Sequence, residues 1–323
     1  MRSVLDHPRV LRRVAAPLAL TLLSVVAVAC SSSSTASGTA AGLTVTGAFG
    51  STPVIALGKA KAPAKTVVTV VSRGTGRALK AGDLALVDDL GRTWKSATSF
   101  QDTFSATTPP DTLPVGGKLG LPGLDNALVG VPLGSRVLVV LPPSDGFANV
   151  SSLPTGVTKT DTAILVFDVR DGFAADAGPS GTPVAATDAT LPVVSGPTNA
   201  KPVITIPKAA APTALKVSTL IQGTGPTTAK GQEVVVQYVG EIWATGKEFD
   251  SSWSRSIPAG FTIGAGQLIP AWDQGLVGVK VGSRVLIVAP PASGYGSAGQ
   301  SSAGISGTDT LVFVVDILGA YAS

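Results

Sequence analysis

The side chains that most often carry catalysis are scarce in this chain. Its single histidine, His7, and its single cysteine, Cys30, both lie within the first thirty residues. Arg2, Arg9, Arg12 and Arg13 surround His7, and an apolar stretch over residues 14–29 follows, interrupted at Pro17. Together they read as the basic and apolar regions of a secretion signal, too short for a bilayer span. Processing would leave a mature chain without histidine, which excludes Ser-His-Asp and Cys-His nucleophilic catalysis and argues against a zinc or other transition-metal site. The glycine-rich string GTGPTTAKG from Gly223 lacks the Gly-Lys-Ser/Thr ending of a phosphate-binding loop and reads as a turn between strands. What remains is carboxylate or Ser-Lys chemistry, or catalysis in which no covalent bond is made.

The remaining candidates sit in a chain of two related halves. The string VGVPLGSRVLVVLPPSDGF at residues 129–147 returns as VGVKVGSRVLIVAPPASGY at 277–295. Likewise STPVIALGKAKAPAKTVVTVVSRGTG from Ser51 matches AKPVITIPKAAAPTALKVSTLIQGTG from Ala200, at an offset that agrees within one residue. Each copy is large enough to own a hydrophobic core. With 44% hydrophobic residues, 14% charged, 38 glycines and 24 prolines, the composition is that of a strand- and turn-rich globular chain. The first thirteen residues contribute +3 of the formal +4 charge. No basic stripe with interleaved aromatics survives, so nucleic-acid binding is not expected.

In the second copy, period-two patterns predict strands over 215–221, 233–243, 261–263, 285–289 and 310–318, with extended structure resuming at Phe249. The one helical candidate is short, 269–277, with Pro270 at an early position and Trp272 and Leu276 on one face. A sheet of about five strands wrapped around one short helix is an α+β domain.

The residues of this copy resemble the FKBP-type peptidyl-prolyl cis-trans isomerases. YVGEIWATGKEFDSS from Tyr238 is similar to that family's Tyr-x-Gly and Gly-x-x-Phe-Asp-Ser-Ser signature. IGAGQLIPAWDQGLVGVKVGSR from Ile263, PPASGYG and TLVFVVDIL complete the family's order. The resemblance implies a fold of two FKBP-like domains, antiparallel in each, and a pocket for a proline ring. Tyr238, Phe249, Trp272 and Phe313 would form its walls and floor, with Leu268 and Ile269 completing it and Phe261 and Gln267 as further substrate contacts. Ile269 would offer its backbone N–H, Tyr295 its hydroxyl, and Asp250, supported by Arg255, would polarise the mouth. Ala259 stands where many members have a bulky aromatic, and in the 297–307 loop only Ile305 matches a rim residue. No cofactor or metal is implied. Proline-containing unfolded or exported polypeptides would be substrates, and a macrolide such as rapamycin a ligand.

The first copy aligns with these positions and departs from them. Asp89 falls at the Tyr238 position, Gln101 at Asp250, Leu124 at Trp272, Phe147 at Tyr295 and Leu165 at Phe313, while Phe100 alone keeps the identity of Phe249. A folded, degenerate domain is expected. Cys30 follows Ala27, Val28 and Ala29, which resembles the lipobox of bacterial lipoproteins and implies a lipidated N-terminus held outside the cytoplasmic membrane. The expected organisation is a signal peptide over 1–29, a lipidated Cys30 with a flexible tether over 30–42, a degenerate domain over 43–173, a linker over 174–197 and an isomerase domain over 198–323. The expected function is a membrane-tethered prolyl isomerase that assists folding of exported proteins. The alternative is a non-catalytic chaperone or binding module of the cell envelope.

Overall fold

A computed structural model of the chain describes residues 37–117, 119–185 and 188–322. The expected secretion signal, with His7, and the expected lipidation site Cys30 lie outside the described residues. In the first copy, β1 (Ser37–Ala40), β2 (Leu43–Thr46) and β3 (Val54–Leu57) form a small antiparallel sheet. Then come β4 (Val67–Ser72), β5 (Leu84–Thr93), β6 (Ser99–Asp102), β7 (Asp111–Pro114), α1 (Pro122–Asp125), β8 (Arg136–Leu141) and β9 (Ala163–Phe173). Their sheet has the order β4-β8-β9-β5-β6, with β7 also on β5.

The second copy repeats this plan. Its elements are β10 (Thr182–Pro183), β11 (Val193–Ser195), β12 (Val203–Thr205), β13 (Lys216–Gln222), β14 (Glu233–Ile242), β15 (Glu248–Ser251), α2 (Ser252–Arg255), β16 (Ala259–Thr262), α3 (Pro270–Gly275), β17 (Arg284–Ala289) and β18 (Leu311–Tyr321). The sheet order is β10-β13-β17-β18-β14-β15, with β16 also on β14. The sheets therefore have six and seven strands where about five were expected. One cause is the length of β5 and β14: ten extended residues carry two four-residue partners end to end on one edge, β16 along 233–236 and β15 along 239–241.

Both faces of each sheet are buried. On one face the short helix closes a core: Trp272 and Leu276 of the second copy pack with Val236, Tyr238, Ile287 and Phe313. The opposite face is covered by the hairpins: β2 and β3 lay Leu43, Val45 and Ile55 on Leu138 and Val166, while β11 and β12 lay Val194 and Ile204 on Leu286 and Val314. This explains why β8 and β17 are buried at every position and read as unbroken apolar runs. It also corrects the expectation of featureless spacers. Ser37–Ala40, within the expected tether, pairs with β2, and β10 and β11, within the expected linker, pair with β13 and β12. The helical expectation is corrected as well. α3 stops at Gly275, and α2 is a second turn that the β-like signature conceals, capped by Ser251 Oγ, which accepts from the Ser254 N–H at 3.3 Å.

Each copy carries a buried bidentate pair between its two central strands: Arg136 with Asp168 and Arg284 with Asp316, both at 2.6 Å for Nε and 2.8 Å for Nη2. The two copies also meet. Leu84, Leu86 and Phe173 pack with Val235 and Ile257, Gln237 Nε2 donates to the Ala175 carbonyl at 2.8 Å, and the Tyr321 hydroxyl donates to Asp171 Oδ2 at 2.5 Å.

Candidate active site

Alternation along β14 points Val234, Val236 and Tyr238 toward the helix side of the sheet, and β18 and α3 bring Phe313 and Trp272 to the same place. Five rings then form a chain of edge-to-face contacts. Phe249 meets Phe313 at 5.5 Å between centroids, Phe313 meets Trp272 at 5.6 Å, Trp272 meets both Tyr238 at 5.2 Å and Phe261 at 5.1 Å, and Tyr238 meets Phe261 at 5.9 Å. The Tyr-x-Gly motif has a steric reason: a Cβ at Gly240 would come within 2.6 Å of the Phe249 ring and 3.1 Å of the Phe313 ring. Only a glycine lets Phe249 lie flat on β14.

Tyr238, Phe261, Trp272 and Phe313 are buried, while Phe249 and Tyr295 are half-buried, so access to the ring cluster runs past these two. Trp272 Nε1 is buried with no hydrogen-bond partner among the described residues. Leu268 and Ile269 are buried at the entry to α3, where Pro270 is the first helical residue and needs no N–H partner. The Ile269 N–H has no acceptor among the described residues. Gln267 is half-buried in the loop tied to α3 by Asp273, which accepts from the Gly264 and Gly266 N–H groups at 2.7 and 2.8 Å. Ile305 is buried in the same core, on a tip where Gln300 and Ile305 exchange backbone hydrogen bonds at 2.8 and 3.0 Å.

The polar side of the site is built on one buried carboxylate. Asp250 Oδ2 accepts from the Tyr238 hydroxyl at 2.5 Å, and Asp250 Oδ1 pairs with Arg255 Nη1. Arg255 Nη2 donates to the Tyr238 oxygen at 2.7 Å, and its guanidinium lies 5.5 Å from the Tyr238 ring centre. Burial, with the Asp250 charge beside it, pushes the Tyr238 hydroxyl far above its ordinary range, so it stays protonated and keeps donating. Asp250 is itself buried, and the half-exposed group at the surface is Arg255. Ser252 was not singled out from the sequence, yet it fixes β14: its Oγ accepts from the Tyr238 N–H at 2.7 Å and donates to Gln237 Oε1 at 2.5 Å.

The first copy keeps the frame and changes the chemistry. Thr103 Oγ1 accepts from the Asp89 N–H at 2.6 Å, as Ser252 does from Tyr238, and a Cβ at Gly91 would meet the Phe100 ring at 2.5 Å. Phe100 and Phe147 still meet edge to face at 5.5 Å. In place of the tyrosine, Asp89 is buried, and Gln101 Nε2 bridges it to Asp111 at 3.4 and 2.5 Å. Burial first, and the Asp111 charge second, push the Asp89 carboxyl well above its usual range. Among the described residues no cluster of three or more His, Cys, Asp or Glu could hold a metal ion, and no helix is long and apolar enough to cross a membrane.

Two segments of the chain, residues 75–170 and 225–318, match the family described as FKBP-type peptidyl-prolyl cis-trans isomerase. The chain is similar to an FK506-binding protein of Streptomyces anulatus, 45% identical over 75 residues, which are 23% of this chain and 60% of that protein. It is also similar to FK506-binding protein 2B of Rhizopus delemar, 51% identical over 74 residues, which are 23% of this chain and 35% of that protein. It thus spans less than two thirds of the length of either relative. The crystal structure of FkpA from Escherichia coli is 37% identical, over 34% of this chain and 49% of that one, with a TM-score of 0.31.

Proposed function

The chain belongs to the FKBP-type peptidyl-prolyl cis-trans isomerases, and from that premise we propose that its second copy catalyses X-Pro isomerisation while its first copy is a folded, non-catalytic partner. The observation that carries this is the five-ring cluster with its Tyr238–Asp250–Arg255 side, present in the second copy and replaced in the first.

The task is rotation about an amide whose barrier is about 18–20 kcal/mol. Twisting removes amide resonance, so the transition state is less delocalised than either planar isomer. No nucleophile or general base is needed, which suits a chain whose single histidine is His7. The proline ring would sit on Trp272, between Phe249 and Tyr295. A dry wall withholds the water that stabilises the planar amide, and fixed donors favour the twisted form. The Ile269 N–H and the Tyr295 hydroxyl would orient the flanking carbonyls, and Arg255 would hold the Asp250 side chain in place beside the pocket.

Substrates would be proline-containing segments of unfolded exported proteins, whose uncatalysed isomerisation takes tens of seconds. Cys30 would carry the lipid that tethers the protein outside the bacterial cell membrane. A macrolide such as rapamycin would be a competing ligand, and the names of the relatives, FK506-binding proteins, support FK506 as one. The test is a cis-to-trans assay of short X-Pro peptides with the full chain, its Tyr295→Phe variant and its Trp272→Leu/Tyr295→Phe double variant. Acceleration by the wild type, weakened in the single variant and abolished in the double, is expected. A folded wild type that leaves the uncatalysed rate unchanged overturns the proposal in favour of a binding module.

A further inference from the structure

Glu241 and Glu248 stand directly opposite each other across the β14–β15 pair. Like charges in that register repel. A cation that meets them comes from outside the segments matched to the family: Lys201, in the turn between β11 and β12, ion-pairs with Glu248 Oε2. The other oxygen of Glu248, Oε1, accepts from Ser254 Oγ at 2.7 Å. Ser254 lies on α2, beside Arg255, the residue that reaches Asp250 and the Tyr238 hydroxyl. Burial raises Glu248, but Lys201, Ser254 and the nearby Arg255 together hold it below the ordinary carboxylate range. Glu241, half-buried and facing Glu248, is pushed up by burial and by the Glu248 charge, with Lys201 only partly offsetting.

A helix of four residues cannot hold itself, because nucleation costs more than one turn of hydrogen bonds returns. α2 is fixed from outside: Ser252 and Arg255 bind β14 and β15, and the Ser251 cap and Glu248 hold Ser254 between them. The first copy offers an internal comparison. Thr52, Ser99 and Arg92 stand at the positions of Lys201, Glu248 and Glu241, and residues 103–110 contain no cation to match Arg255. There the corresponding hairpin turn is held by Arg136, which donates to the Gly47 carbonyl at 3.0 Å and to the Ser51 carbonyl at 2.5 Å. The charged relay exists only in the copy that has the aromatic site.

From these contacts we infer that Lys201 and Glu248 are positioning residues, which hold α2 so that Arg255 stays on Asp250 and Tyr238; their effect on turnover rests on the isomerase function proposed above. The covering hairpin then does more than shield the sheet, since its turn supports one side of the site.

The test uses the full chain and four variants, Lys201→Met, Lys201→Arg, Glu248→Gln and the exposed control Lys280→Met. Lys201→Met and Glu248→Gln should each lower kcat/KM on an X-Pro peptide about three- to fivefold, the scale a half-exposed ion pair can transmit. Lys201→Arg should restore it, and Lys280→Met should leave it unchanged. In Lys201→Met the acid limb of kcat/KM should move to higher pH, because the facing Glu241 and Glu248 lose their cation and Arg255 alone remains beside them. Amide hydrogen exchange over residues 252–256 should quicken in Lys201→Met and Glu248→Gln alone. Wild-type exchange and an unchanged pH profile in both overturn the inference. Should the wild type give only the uncatalysed rate, the isomerase function fails by itself, and the exchange measurement still decides whether Lys201 and Glu248 hold the turn.

Discussion

Phe173 and Tyr321 occupy the same position in the two copies, and they meet edge to face, with ring centroids 6.3 Å apart. Thr112 and Gly260, another equivalent pair, also touch: a Cβ at Gly260 would lie 2.6 Å from the Thr112 side chain. Contacts between equivalent positions define an isologous interface, the type a two-fold dimer makes, here formed within one chain.

This contact couples the stability of the two copies. Tyr321→Ala removes the edge-to-face ring, the bond to Asp171 and the surface under Arg170, whose guanidinium lies 5.9 Å from the ring. A loss of about 2 kcal/mol is expected, and calorimetry should show one thermal transition separating into two.

Gly240→Ala tests the steric origin of the Tyr-x-Gly motif. The added methyl would displace Phe249 from β14, costing about 1–3 kcal/mol as overpacking does. A lower kcat/KM on X-Pro peptides should accompany a modest fall in denaturation midpoint.

Tyr238→Phe keeps the ring contacts with Trp272 and Phe261 and removes only the hydroxyl between Asp250 and Arg255. Leaving one oxygen of the buried carboxylate without its donor should cost about 1–3 kcal/mol. Urea denaturation of the full chain measures it, and a peptide assay should show reduced turnover.

Asp89 gives the first copy a pH signature. Its folded-state ionisation is raised by burial and by Asp111, so between the ordinary carboxylate range and that raised value the native state binds more protons than the unfolded one. Stability from this group therefore falls as pH rises through the window. Asp89→Asn should be more stable than the wild type at neutral pH, with the difference vanishing in acid, as chemical denaturation at several pH values would show.

Much of the frame was legible from residue order. β13, β14, β17 and β18 lie within one to three residues of the spans predicted from alternation, and the constant offset aligned Asp89 with Tyr238 at one strand position. The hairpins were not legible, because Ser37–Ala40 and Val193–Ser195 are three or four small or β-branched residues in stretches whose composition reads as spacer. Leu84, Leu86 and Val235 carry no mark in the sequence that separates a strand face buried in its own domain from one buried against the other copy.

The sequence by itself determined the duplication, the strand-rich class, the scarcity of nucleophilic machinery and the aromatic set of the second copy, since all of these depend on residue identity and local spacing. Tertiary structure decided the rest. That Tyr238 is spent on Asp250 and Arg255, that Lys201 reaches Glu248 from 47 residues away and that Phe173 finds Tyr321 are outcomes of strand pairing between distant segments. Local periodicity states which face a residue takes, whereas only the closed sheets determine which face of which partner it meets.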